Sequence, residues 1–163
     1  MLIKFLLGIA IVAFTSFCGY LFSGKYRKRS LFFRQLNAFN ERFLTEISYY
    51  RRPIGEFAAR YSYKGEFNTL LQDFLKSLSD SHTWQGLNKS DYSFLKKEEK
   101  RIIEDYFLML GKGNSASQKA YFSSMKDSLS SMYNEAKSIQ EKYGNLYIKI
   151  GFLCGLLILI LIV

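Results

Sequence analysis

Proline is almost missing from this chain: Pro53 stands alone among 163 residues. Helix interiors reject proline, so its scarcity leaves room for long helices, and no stretch shows the strict alternation of a half-buried strand. Histidine is as scarce, with His82 the only one, and the two cysteines, Cys18 and Cys154, both fall inside apolar stretches. A metal centre or a catalytic triad would have to be assembled without its usual ligands, so the sequence predicts no catalytic, metal-binding or cofactor-binding residues and no enzyme activity. His82 reads as an ordinary loop residue. The polar middle has no cysteine and gives no sign of an oxidising compartment. Gly111-Lys112-Gly113 lacks the glycine spacing and the following Ser/Thr of a phosphate loop, and reads as a helix stop. A lipid-modifying enzyme would need an acid/base pair near the interface, which Lys149 alone does not supply.

Acidic residues are missing from both ends, since all 14 lie between Glu41 and Glu141. What fills the ends is apolar. Leu2–Phe22 gives roughly 21 residues, enough for a hydrocarbon core of about 30 Å. Lys4 and Phe5–Phe14 imitate a signal peptide, but Thr15-Ser16-Phe17-Cys18 is a poor cleavage site and the apolar run continues to Phe22, which favours a retained anchor. The second segment reaches about 27 Å if counted from Leu146, with Lys149 snorkelling to the headgroups. Gly151–Val163 has no polar face to leave in water, so spanning is favoured over lying in the interface. The expected organisation is a transmembrane helix at 1–22, a helical bundle at 23–147 and a transmembrane helix at 148–163.

The formal net charge is +9. Its distribution argues against nucleic acid, because Lys and Arg alternate with acids further along, as in Lys96-Lys97-Glu98-Glu99-Lys100-Arg101. The one unmixed cluster, Lys25, Arg27, Lys28, Arg29 and Arg34, follows the first apolar segment, where it would attract anionic lipid and hold the middle on the cytoplasmic side.

Between the ends the periodicity is helical. Phe32, Leu36, Phe39, Phe43, Ile47 and Tyr50 recur at three- and four-residue spacing until Arg51-Arg52-Pro53 ends the helix. Shorter helices are expected at Ile54–Tyr61, Glu66–Leu78 and Tyr92–Leu110, with a helical turn around Trp84. Ser115-x-x-Gln118 looks like a capping box for the last helix. From there Phe122, Met125, Leu129, Met132, Ala136, Ile139, Tyr143, Leu146 and Ile150 predict one unbroken stripe running into the second apolar segment, with Gly144-Asn145 as its weak point. Packing of the two long helices on each other is favoured over a coiled-coil dimer seam, because Tyr, Ala and Phe suit a mixed core.

Gly151 and Gly155 form a GxxxG step, which lets another helix approach closely in lipid. Gly8, Ala13, Ser16 and Gly19 offer small residues for it in the same chain; a second copy, in a homo-oligomer, is the other candidate.

The layout resembles the stage III sporulation protein AB family over essentially its full length. The last third carries most of it: Leu110-Gly111, Gln118, Leu129, Ala136, Leu146-Tyr147, Gly151, Gly155 and the run to Val163. Gly19-Tyr20, Tyr26 with Arg29, Glu46-Ile47-Ser48-Tyr49 with Pro53-Ile54, and Trp84 match further family elements. Gly113-Asn114-Ser115 departs from the family's Gly-x-Ser-Asp, and residues 60–91 match only in pattern. The resemblance implies a membrane component of the transenvelope complex between mother cell and forespore, needed for endospore formation and placed in the mother-cell membrane around the forespore. It further implies a cytoplasmic antiparallel bundle of about six helices, similar to the F-type platform protein of type II secretion and type IV pilus systems. Its partners would be a stage III sporulation protein AA-type ATPase, other proteins of the complex and the bilayer. Candidate partner contacts are Glu46 and Tyr49, with Arg51 and Arg52 beside Pro53; packing of Tyr49 in the bundle and pairing of Glu46 with a nearby base are the plainer readings. A platform protein of a true secretion or pilus system is the alternative function, though that family has a longer chain with a duplicated domain.

Overall fold

A computed structural model describes residues 2–50, 52–80, 84, 86–87, 92–110, 112 and 114–162, with side chains from 8 to 161, and among them there is no β-strand. The chain runs through α1 (Leu2–Tyr49), α2 (Ile54–Ala59), α3 (Gly65–Ser79), α4 (Lys97–Met109), α5 (Ser115–Ile139), a π-helical turn (Gln140–Gly144) and α6 (Asn145–Ile162). Two of these stretches are long and apolar enough to cross a membrane, one in α1 and one reaching to the end of α6. The chain divides into two compact units: residues 31–134, and 1–30 together with 135–163.

The first unit is a helical bundle with an aromatic core. The stripe expected on the first long helix is buried at Phe32, Leu36, Phe39, Phe43 and Ile47, but its last member, Tyr50, stands past the end of the helix and is 59% exposed. Phe39 meets the rings of Phe57, Tyr63, Phe67 and Tyr106 at centroid distances of 5.4, 5.7, 5.7 and 6.4 Å, so one side chain of α1 joins α2, α3 and α4. Phe122 of α5 completes the core edge-on, 5.0 Å from both Phe43 and Tyr106. Such pairs add to plain area burial because positive ring edges meet negative faces. One polar group is built into this core. Asn40, fully buried, donates from Nδ2 to the Phe122 carbonyl at 3.1 Å and accepts the Tyr106 hydroxyl on Oδ1 at 3.1 Å. It therefore ties α1, α4 and α5 together at one level.

Several boundaries differ from the sequence reading. The fourth helix begins at Lys97, because Tyr92–Phe94 form a turn, and the Glu99 carboxylate caps the start by accepting the Lys96 N–H at 2.8 Å. Trp84, Gly86 and Leu87 are not helical; Gly86 has φ 83° and Trp84 packs on Phe74 and Phe107. His82, Gly111 and Gly113 lie outside the described residues. The cap of α5 is Asn114 rather than Ser115: its Oδ1 accepts the Ser117 N–H at 2.8 Å, while Gln118 reaches from Nε2 to the Lys112 carbonyl instead of closing a capping box.

The second unit pairs the beginning of α1 with the end of the chain. Gly19 lies against the Tyr147 carbonyl, where an added Cβ would sit 2.5 Å from the oxygen, and Gly151 lies equally close to the Thr15 carbonyl. Gly155 rests on Thr15 Oγ1 and Val12, and Gly8 on Leu159. The GxxxG step is thus used within the chain, against Val12, Thr15 and Gly19 of its own first helix. Gly8 and Gly19 are buried as expected of a partner face, Ser16 is half-buried, and Ala13 is exposed and takes no part. Outward from this seam stand Phe14, Phe17, Leu153, Leu157, Ile160 and Leu161, each more than half exposed. An apolar belt of that extent suits hydrocarbon and is poorly suited to water.

The unbroken stripe expected through Tyr143, Leu146 and Ile150 does not occur. These three are 38%, 43% and 46% exposed, and the buried face instead steps from Ala136 to Gly144 and on to Gly155. An α-helix returns to nearly the same face after seven residues. Here the return takes eight, and the π turn at Gln140–Gly144 takes up the extra one. The result is that Gly151 and Gly155, and not Leu146 and Ile150, pack against α1.

Candidate functional site

Two places gather the residues singled out from sequence. The first lies within the bundle, where α1 ends. The Tyr50 N–H still donates to the Glu46 carbonyl at 2.9 Å, so Glu46 stands in the last turn. Pro53 then opens α2 without a side-chain cap, and the reversal brings Arg52 back onto Glu46. Arg52 Nη1 lies 3.5 Å from Glu46 Oε2, and its guanidinium sits 4.4 Å from the Tyr50 ring centroid, a cation–π arrangement.

These residues line an open groove of about 440 Å³ together with Phe43, Ile47, Pro53 and Ile54, and with Ser115 and Gln118 from the first turn of α5. The walls are mainly apolar. The Glu46 side chain is 5% exposed, and its second oxygen, Oε1, is buried with no hydrogen-bond partner. A buried acceptor left without a donor is uncommon in folded proteins and costly; Asn37 Oδ1 and the Tyr63 hydroxyl are two more in the described residues. Glu46 is paired with a base, as its plainer reading held, but only through one of its two oxygens. Tyr49 is 79% exposed, does not pack in the bundle and does not line the groove. Arg51 lies outside the described residues.

A larger depression of about 690 Å³ is lined by Leu95, Lys97, Glu98, Lys100, Arg101 and Glu104. Its charges alternate in sign along α4, and none of these side chains has a buried polar atom lacking a partner, so nothing in it converges on a ligand.

The second place is the basic cluster of α1, which the fold uses in several ways. Arg29 is 5% exposed and pairs with Glu135 at 3.4 Å. Arg27 lies 3.8 Å over the Tyr20 ring and donates to the Tyr20 carbonyl at 3.3 Å. Lys25 and Lys28 are exposed, with Lys25 Nζ 5.0 Å from the Tyr26 ring. The Tyr26 ring in turn stacks with Tyr143 and Tyr147, at 6.0 and 5.9 Å. Tyrosines ringed by cations at the end of two apolar helices are the arrangement expected of a headgroup-level belt. Gly151 and Gly155 lie in the same unit, in the helix seam described above.

Sequence reasoning reached Glu46, Arg52 and Pro53 but missed Ser115 and Gln118 as groove walls. No local pattern links them to Glu46, because they come from a helix that begins almost seventy positions later.

No match was found among curated proteins or among solved structures. The family model described as stage III sporulation protein AB matches residues 4–163, nearly the whole chain, and with the helical architecture and paired apolar helices in place this chain belongs to that family and has a role in sporulation.

Proposed function

We propose that the chain is a membrane scaffold of the transenvelope complex between mother cell and forespore, acting by binding and not by catalysis. Its helical domain, 23–147, lies in the mother-cell cytoplasm as a relative of the F-type platform domain, and its end helices anchor it in the membrane surrounding the forespore. There it couples a cytoplasmic ATPase of the stage III sporulation protein AA type to the rest of the assembly. Lys25, Arg27, Lys28 and Arg29 support the orientation, since basic residues beside a short apolar segment stay on the cytoplasmic side. The observation that carries the binding role is the groove at Glu46, a concave and mainly apolar surface with the Glu46–Arg52 pair in its wall.

Capture of the purified ATPase by the full chain in lipid nanodiscs tests this reading. The expected result is a complex that survives gel filtration and is weakened by Arg52→Ala. A chain with an intact helical circular-dichroism spectrum that fails to retain the ATPase would end the coupling proposal.

A further inference from the structure

The paired end helices carry positive charge that their own residues do not neutralise, and we infer that the phosphate of one acidic phospholipid completes it, held jointly by α1 and α6. This rests on the membrane placement of those helices and is independent of the ATPase coupling. The acidic residues of the second unit are Glu135 and Glu141. Both are engaged, Glu135 by the buried Arg29 at 3.4 Å and Glu141 by Lys137 at 4.0 Å. Lys25, Arg27, Lys142 and Lys149 form no ion pair among the described residues. Cations gathered on two packed helices repel one another unless an anion lies between them. The fold brings two of these together across the seam. Lys25 Nζ sits 5.0 Å from the Tyr26 ring, Tyr26 stacks on Tyr143 at 6.0 Å, and Lys142 Nζ sits 5.3 Å from the Tyr143 ring. The surface on the membrane side of each lysine makes the anion a lipid's and not a solute's or an acidic peptide's. Phe22 precedes Lys25 and Leu146 follows Lys142 by about one turn, which puts each on its lysine's face. Both stand outward, 67% and 43% exposed. The two helices run in opposite directions, so on each the apolar side chain lies toward the bilayer and the cation away from it. A phosphate between the lysines, with its acyl chains along Phe22 and Leu146, meets both surfaces. The headgroup must carry net negative charge, since choline or ethanolamine would bring its own cation to the site.

The test uses the full chain in phosphatidylcholine vesicles, with spin-labelled phosphatidylglycerol or phosphatidylcholine added as the probe. Electron paramagnetic resonance separates lipid held at the protein from bulk lipid. Phosphatidylglycerol should associate more tightly than phosphatidylcholine by roughly fivefold or more. Lys25→Gln and Lys142→Gln should each remove most of that preference, and the double variant should lose little beyond either one, because a single phosphate shared by two lysines couples their effects. Lys76→Gln with Lys126→Gln makes the same change of charge in the bundle and should leave the preference in place. Equal association of the two lipids with the unaltered chain would overturn the inference. So would losses at Lys25 and Lys142 that simply multiply, the signature of a diffuse basic belt, or an equal loss in the bundle variant. Displacement of the labelled lipid by inorganic phosphate at constant ionic strength would assign the site to a free anion, and displacement by polyglutamate to an acidic protein; either result overturns the lipid. A chain that the vesicles do not retain brings down the membrane placement and this inference together, whereas a retained chain without lipid preference brings down the inference alone.

Discussion

Deleting Gln140 should leave the packing of α6 on α1 intact, although the cut falls next to a membrane segment. The buried face steps eight residues from Ala136 to Gly144, and the π turn holds the surplus residue. Removing one residue there lets the turn relax to an α-helix, in which Gly144, Gly151 and Gly155 return to the face they occupy now. Inserting an alanine between Gln140 and Glu141 should do the opposite. One added residue rotates the rest of the helix by about 100°, which turns Tyr143, Leu146, Ile150 and Cys154 toward α1. At Gly151 even one added carbon would sit 2.5 Å from the Thr15 carbonyl oxygen, so the branched Ile150 side chain cannot be accepted without the helices parting. Overpacking of this kind costs about 1–3 kcal/mol per site, and two glycine sites are displaced. The deletion exchanges one π turn for an α turn and should change stability by no more than about 1 kcal/mol, an ordinary single-site effect.

The assay is a disulfide ruler. In a Cys18→Ser, Cys154→Ser background, Tyr26→Cys and Tyr147→Cys replace rings whose centroids are 5.9 Å apart, and oxidation with copper phenanthroline reports whether those faces still meet. The unaltered length and the Gln140 deletion should both crosslink, and the alanine insertion should not. Loss of the crosslink in the deletion to the same extent as in the insertion would refute the account of the π turn as a register device.

The bundle core gives two further expected outcomes. Asn40→Leu removes the acceptor of the buried Tyr106 hydroxyl and the link to the Phe122 carbonyl, and should cost about 1–3 kcal/mol in urea unfolding of the full chain in micelles; adding Tyr106→Phe should recover part of that loss, because the stranded hydroxyl goes with it. The same hydroxyl predicts alkaline sensitivity. Burial, with smaller contributions from Tyr63 and Tyr121, holds Tyr106 well above the ordinary tyrosine value of 10.0. A raised folded-state value means that the unfolded chain releases its proton first, so stability is complete below about pH 10 and falls as pH rises toward the folded value. Tyr106→Phe should flatten that decline in urea midpoints taken on either side of pH 10, and an unchanged slope would contradict it.

The sequence was most legible where one face meets core and the opposite face meets water. Phe32, Leu36, Phe39, Phe43 and Ile47 could be placed because polar residues such as Arg34 and Glu41 mark the other side of the same helix. The end of α1 was legible for a different reason, since Pro53 forbids the helix to continue. The groove was only half legible. Glu46 and Arg52 are six residues apart, and a helix end followed by proline suggests that they meet, whereas Ser115 and Gln118 arrive through the tertiary fold. Asn40 gave no local signal, as an asparagine in an amphipathic helix, like Asn37 beside it, looks like any other polar position until its partners from α4 and α5 are known.

The register of the last helix shows why the remainder was out of reach. After Ala136 two stripes compete, Tyr143, Leu146 and Ile150 against Gly144, Tyr147, Gly151 and Gly155, offset by one residue. In a soluble helix hydropathy would decide between them, and it favours the first. Next to lipid that criterion loses its force, because both stripes and everything around them are apolar and the outward face is as greasy as the inward one. What separates the two is size. Helices in hydrocarbon associate through close van der Waals approach, which the glycine stripe permits and the isoleucine stripe prevents. Reaching that stripe from the phase set by Ala136 requires one residue more than an α-helix allows. Two packing rules, large side chains inward in water and small ones inward in lipid, therefore apply in turn to a single continuous chain, and the π turn stands where the polar helix becomes apolar because only there must the register change.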